Sequence, residues 1–237
     1  MNKQQLEDAI CLRYDLKLRD VPKKCGCGDD YSINHSLTCK LGGYIYLRHN
    51  AVRDTAGELL AEVSKDVKIE PALLPVTGEL LPNGSNLKDG ARSDISCIGF
   101  WTPMSRAFFY VRVLNPMAET NRLKDIKTMY DQHEKAKKRE YNARIIEIEK
   151  GSFCPLVFSC SGGMAPEANV FVKRLAEKYS TKKNELYSTT VSFIRRRFCF
   201  DILRSCLITL RGVRKNCHAN AAVVADLDLE LQDMELS

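Results

Sequence analysis

The stretch CGCGDDYSINHSLTCKLGGYIYLRHN, residues 25–50, decides how this chain is read. Its first part has the pattern Cys-x-Cys-x7-His-x3-Cys, which sets the thiols of Cys25, Cys27 and Cys39 and the imidazole of His35 on one short loop. Zn²⁺ favours four such ligands in a tetrahedron, and glycines at 26 and 28 let a small knuckle close round one ion. Four protein ligands leave no open coordination position, so the expected role is structural. The alternative is a set of reduced thiols beside a structural histidine. The stretch ends on Arg48-His49-Asn50. At a helix start these three polar groups would either bind phosphate with the free backbone N–H groups or serve as a solvated cap.

The 237 residues suffice for one large domain with a small appendage, and a hydrophobic content of 44% supports a real core. No apolar run approaches the roughly 18 residues of a membrane span. MNKQQLEDAICLRY lacks the layout of a signal peptide, so a reducing compartment is expected. Most of the ten cysteines are then thiols or metal ligands, and Cys11, Cys97, Cys154, Cys160, Cys199 and Cys206 read as small buried hydrophobes. The net charge of +6 is unevenly spread. The last nineteen residues carry five acids and no Lys or Arg, and setting them aside leaves residues 1–218 at +11. A basic body suits a polyanionic partner, or is a solvated surface.

Working outward, residues 1–20 fit a short amphipathic helix with Leu6, Ala9, Ile10 and Arg13 at helical spacing. Asn50 reads as the cap of a helix over 51–65, with Val52, Ala56, Leu59, Leu60 and Val63 on its apolar face. VKIEPALLPV (67–76) reads as a strand broken by prolines, and 77–90 as a turn-rich loop. ARSDISCIGFW (91–101) and RAFFYVRVLNP (106–116) read as strands, the second buried on both faces. A charged helix over 121–149, a strand over 151–163 with a glycine turn, and helices over 166–179 and 188–212 complete the order. The last helix buries Val191, Ile194, Phe198, Ile202 and Leu210. The fold class is α/β with a central mixed sheet flanked by helices.

Three places could carry chemistry beyond the knuckle. Asp94 lies in a strand-like segment, where an acid is costly unless paired, edge-exposed or metal-bound. Metal-dependent nucleases pair such an acid with a second on the neighbouring strand, so that Mg²⁺ bridges both and the scissile phosphate. That strand carries Tyr110 and Arg112 but no acid. The charged helix offers Lys137 and Lys138, which supply phosphate contacts or form an ordinary solvated face. Arg197, Arg204 and Arg211, seven residues apart and followed by Arg214 and Lys215, either track a nucleic-acid backbone or are solvated.

Together, the knuckle with YIYLRHNAVRD, KIEPAL, ARSDIS, AFFYVRVLNP and YDQHEKAKKREY resembles the C-terminal region of non-LTR retrotransposon polyproteins. In that family a zinc knuckle follows the reverse transcriptase and precedes a restriction-like endonuclease of the PD-(D/E)xK type. The resemblance covers nearly all of residues 5–215 and is most specific at the knuckle and at Arg48-His49-Asn50. It implies a zinc-knuckle lobe with its N-terminal helix over 1–47, a restriction-endonuclease-like α/β domain over 48–215, and an acidic tail over 216–237. It implies Zn²⁺ on Cys25, Cys27, His35 and Cys39. Arg48, His49 and Asn50 would form the basic entry to the nuclease, and the residues themselves add Arg112, Arg197, Arg204 and Arg211 as further nucleic-acid contacts. Asp94 would be a Mg²⁺ carboxylate, Tyr110 would stand at the second carboxylate position, and Lys137 or Lys138 would complete the site. Glu62 or Glu70 could add a ligand, and Glu70 or Glu134 could replace the missing acid.

On this resemblance the partner is DNA, or RNA, with no membrane, and the location is the nucleus, the cytoplasm being the alternative. The family nicks a target strand with Mg²⁺. Tyr110 would impair that chemistry and leave a metal-dependent endonuclease fold with a degenerate centre, or a non-catalytic nucleic-acid-binding module or relic. No reverse transcriptase is present and Met1 opens the chain just before the knuckle, which implies a stand-alone fragment.

Overall fold

A computed structural model of the chain describes residues 1–14 and 16–212. The elements run α1 (Lys3–Tyr14), α2 (Ile33–Thr38), α3 (Tyr44–Val63), β1 (Lys65–Ile69), β2 (Ile95–Ile98), β3 (Arg106–Leu114), α4 (Ile126–Glu147), β4 (Ser152–Ser159), α5 (Pro166–Lys183) and α6 (Tyr187–Arg211). The strands form one sheet in the order β1-β2-β3-β4, in which β1, β2 and β3 are antiparallel neighbours and β4 is parallel to β3. A parallel neighbour needs a crossover, and α4 supplies it. This is the mixed α/β architecture the sequence predicts.

Strand β3 explains the layering. Its β-branched and aromatic run alternates between two covered faces. Phe109 and Val111 join the large cluster built with α3, α5 and α6, where the Phe109 ring meets Phe100 at 5.4 Å and Phe171 at 5.1 Å. Phe108 and Tyr110 face Tyr141 and Ile145 of α4 in a second cluster. The predicted inner faces of α3 and α6 hold: Val52, Ala56, Leu59 and Leu60, and Ile194, Phe198, Ile202 and Leu210, are all buried. No described helix is long and apolar enough to cross a membrane.

Several expectations are corrected. Helix α3 begins at Tyr44, not 51, because Gly43 takes a left-handed backbone (φ 71°) and acts as its N-cap. Asn50 is therefore an interior residue of α3, and Arg48-His49-Asn50 does not sit at a helix start. Residues 33–38 form α2, with the Ser32 hydroxyl accepting the His35 N–H at 3.0 Å. Six residues are too few for periodicity to reveal them. Leu6 and Ile10 of α1 are exposed, while Asp8 is buried. Of the six cysteines read as buried, Cys199 is exposed and Cys11 is half-buried.

The knuckle region is joined to the α/β body. Leu37 of α2 belongs to the same buried cluster as Val52 and Ile202, and the Tyr31 hydroxyl donates to the Leu210 carbonyl at 2.9 Å. The boundary expected at 47/48 falls inside α3. Arg214, Lys215 and the acidic tail over 216–237 lie outside the described residues.

A buried arginine clamps the loop over 77–90 and the segment before it. Arg144 of α4, fully buried, donates to the carbonyls of Leu74, Asn86 and Lys88 at 2.7, 2.8 and 3.0 Å. Arg144→Met fills similar volume but strands those three acceptors. With charge-assisted bonds worth about 1.5–3 kcal/mol each, a loss of at least about 3 kcal/mol is expected in urea unfolding. A protease should then cut within 77–90 first.

Candidate functional site

The knuckle is assembled by two local devices. Residues 23–31 fold back on themselves through Cys25 N–H to Asp29 O (2.8 Å), Gly28 N–H to Cys25 O (2.9 Å) and Tyr31 N–H to Lys23 O (2.9 Å). Gly28 permits the turn with φ 101°. His35 then sits within α2 and Cys39 at its C-cap. The donor atoms of Cys25, Cys27, His35 and Cys39 converge to within 4.8 Å of one another. Cys25 Sγ and Cys39 Sγ are 3.8 Å apart. Two Zn–S bonds of about 2.3 Å at a tetrahedral angle give an S···S distance of about 3.8 Å. The four residues form a metal-binding group consistent with zinc.

Electrostatics point the same way. Burial opposes ionisation of Cys25, but the Cys27 N–H and the His35, Cys27 and Cys39 side chains hold its thiol down at about 7. The Asp29 N–H favours the Cys27 thiolate, yet desolvation and the Cys25 and Cys39 sulfurs push that thiol up to about 11. A thiolate at Cys25 is tolerated and one at Cys27 is repelled, an opposition that a dication between them would remove. Asp29, a residue the ligand pattern does not flag, stands behind the site. Its carboxylate lies 3.7 Å from His35 Nδ1 while His35 Nε2 faces the Cys27 sulfur at 3.2 Å. At 3.7 Å the exposed Asp29 carboxylate is beyond direct hydrogen-bonding reach of the ring, and Nε2 is the ring nitrogen turned to the thiols.

A second polar group surrounds Asp94, one residue before β2. One carboxylate oxygen accepts the Val111 N–H at 2.6 Å, and the other lies 3.3 Å from His49 Nε2 of α3. Both side chains are largely buried. The Asp94 carbonyl accepts the Glu70 N–H at 2.9 Å, and the Glu70 carboxylate pairs with Arg53, one turn after His49 on α3. The β2–β3 register pairs Ile95 with Phe109, so one step further sets Asp94 opposite Tyr110. Tyr110 stacks on Tyr141 at 5.1 Å, and Lys137 Nζ stands 4.1 Å from the centre of its ring. Lys137 is buried and bonds Glu140 at 2.9 Å.

The residues between which the sequence left a choice stand in different places. Lys137 reaches Tyr110, whereas Lys138 pairs with Glu167 of α5. Glu70 is joined to Asp94 by its backbone. Glu62 pairs with Lys183 of α5, and Glu134 is buried where its carboxylate accepts the Glu167 N–H at 2.9 Å. Burial pushes the Glu134 carboxyl up, and the nearby Glu167 charge adds to this.

The basic residues are less available than their pattern suggests. Arg48 is buried and donates to the Leu37 carbonyl at 3.0 Å, so its guanidinium is not presented at the surface. Arg197 pairs with Glu58. Arg204 is exposed, and Asn50 and Arg112 are half-buried. Arg211 donates to both oxygens of Asp8 at 2.7 and 2.8 Å, which ties α6 to α1 and explains why α1 buries an acid. Those bonds hold the Asp8 carboxyl below its ordinary value, against the opposing effect of burial. Its stabilisation is therefore complete above the unfolded value of about 3.9 and is lost as pH falls through that value towards the folded one. Asp8→Asn should cost about 2 kcal/mol at pH 7 and flatten this part of the acid limb in pH-dependent thermal melts.

Comparison with protein-family models gives no match for this sequence, and comparison with curated proteins gives none either.

Proposed function

We propose that the chain is a retroelement-derived, endonuclease-like protein that acts on DNA, with a zinc-held N-terminal lobe and an impaired cleavage centre. One observation carries this reading: continuing the β2–β3 register by one step sets Asp94, just before β2, opposite Tyr110 of β3, and Lys137 of α4 stands over the Tyr110 ring. Asp94 stands at the head of one strand, Tyr110 lies opposite it where the resemblance implies a second acid, and a lysine of the following helix reaches that position. The succession α3-β1-β2-β3-α4-β4 supports the same reading, since it sets two neighbouring strands and a crossover helix round one point. Residence in the nucleus belongs to this reading.

The residues present do not fit the Mg²⁺ site that the resemblance implies. Mg²⁺ takes an octahedron of oxygens, with carboxylates contributing the charge. Here Asp94 is the only carboxylate of the pair, Tyr110 offers an aromatic ring, and the Lys137 ammonium over that ring repels a cation. Glu70, the nearest substitute, is held by Arg53. What these side chains do supply is a largely buried carboxylate–imidazole pair and, over the Tyr110 ring, a buried ammonium.

The test is relaxation of supercoiled plasmid by the zinc-loaded chain with Mg²⁺ or Mn²⁺. The natural chain should leave the plasmid intact, Tyr110→Asp should nick it, and Tyr110→Asp with Asp94→Ala should not. Nicking by the natural chain that Asp94→Ala abolishes would keep the endonuclease and remove the impairment. Failure of every variant, with no binding to plasmid DNA, would end the reading.

A further inference from the structure

Helix α6 has two unlike faces. Ile194, Phe198 and Ile202 are sealed in the core, yet Phe200 is 62% and Phe193 is 41% exposed. The two exposed rings are seven residues apart, so they share one side of the helix about 10.5 Å from each other along its axis. Arg196 and Arg204 flank the line of rings, one about 50° to one side and the other about 30° to the other, and both are exposed. Arg197 lies at the edge, paired with Glu58. Asp201, the one acid of α6, is turned to α3, where its carboxylate accepts the Thr55 hydroxyl at 2.6 Å. The outward stripe therefore carries aromatic rings and positive charge and no carboxylate of its own. Tyr179 of α5 lies 6.4 Å from Phe193 and widens the platform.

We propose that this face of α6 binds single-stranded nucleic acid, with unpaired bases stacked on Phe193 and Phe200 and phosphates held by Arg196 and Arg204. The inference deepens the nucleic-acid reading above and rests on it. Its support is complementarity of charge and of surface. A chain of phosphates answers the arginines, and bases present flat π-faces to the phenylalanines. A duplex satisfies only the first, because its base faces are already stacked on each other. An apolar protein helix satisfies only the second and would have to cover the flanking guanidinium groups.

The experiment measures fluorescence anisotropy of labelled dT20 and of a 20-base-pair duplex with the full chain. At 100 mM salt, dT20 should bind at least ten-fold more tightly. Phe193→Ala and Phe200→Ala should each weaken dT20 binding about five-fold or more and leave the duplex within two-fold. Phe200→Leu keeps apolar area without a π-face and should lose as much as alanine, whereas Phe200→Trp should match or exceed the natural chain. Far-ultraviolet circular dichroism shows whether each variant folds. If dT20 and duplex bind alike and the phenylalanine variants change nothing, this inference fails and the broader reading stands. If Phe200→Leu binds like the natural chain, stacking is refuted. If neither nucleic acid binds, both readings fail together.

Discussion

Stripping the metal with a chelator, or replacing Cys39 by Ser, should unfold the N-terminal lobe and lower the melting temperature of the whole chain by 10 °C or more. The argument begins with size. Residues 23–43 are short, and their only well-buried side chains are Cys25, Ser36, Leu37 and Cys39. So small a set cannot offset the chain entropy of an ordered loop. A tetrahedral zinc site supplies on the order of 10 kcal/mol to such a lobe. Without the ion, three thiols and an imidazole are held together with no charge to bind them.

The damage should then spread, because the lobe is tied to the body at named points. Leu37 leaves the main cluster, the Leu37 carbonyl no longer takes the buried Arg48 guanidinium, and Tyr31 lets go of the end of α6. A coupled loss of about 3–5 kcal/mol corresponds to about 10 °C in a domain of this size. Metal content by atomic spectroscopy and thermal melts followed by circular dichroism check this. Cys199→Ser, at an exposed thiol outside the group, should change neither. A chelated protein that melts where the loaded one does would show that the ion has no structural part.

The features that could be read from sequence are those fixed by local pattern. The spacing of Cys25, Cys27, His35 and Cys39 needs only a turn and a short helix to converge. The apolar faces of α3 and α6 follow from helical period, and β3 from a run that no single-faced strand would carry. What escaped the sequence depends on distant partners. Asp8 is buried in α1 because Arg211 lies across from it, 203 positions away. Arg48 looks like a surface cation until the Leu37 carbonyl is set against it. Lys137 and Lys138 are neighbours in sequence but point about 100° apart round α4, so only one reaches β3. Of the arginines spaced by seven on α6, Arg197 meets Glu58 and Arg211 meets Asp8, while Arg204 lies exposed; the exposed phenylalanines were not legible, because aromatic residues at helical spacing look like core.

On the proposed reading, Tyr110→Asp should be the most informative single change in the chain, giving a slow nuclease where the natural chain leaves plasmid intact. The position has a charged neighbour. Lys137 stands over the ring, and Asp94 lies opposite across the β2–β3 pair. A carboxylate at 110 would face the buried ammonium, which limits the desolvation penalty that an unpaired acid would suffer. The stack on Tyr141 is lost, and with it packing in the Leu73–Phe108–Ile145 cluster, so stability should fall by about 3 kcal/mol. The gain would be a second carboxylate across the strand pair from Asp94; the two would have to hold a divalent ion against the Lys137 ammonium, and such an ion would supply charge neutralisation at a phosphate. If that ion contributes several kcal/mol at the transition state, nicking should rise by about three powers of ten over the natural chain. Tyr110→Asn separates charge from shape. It removes the same ring and leaves nearly the same side chain without the negative charge, so it should lose similar stability and nick no better than the natural protein. If Asp and Asn variants nick equally, the cut does not depend on a metal at this place, and Asp94 and Tyr110 are an ordinary strand pair.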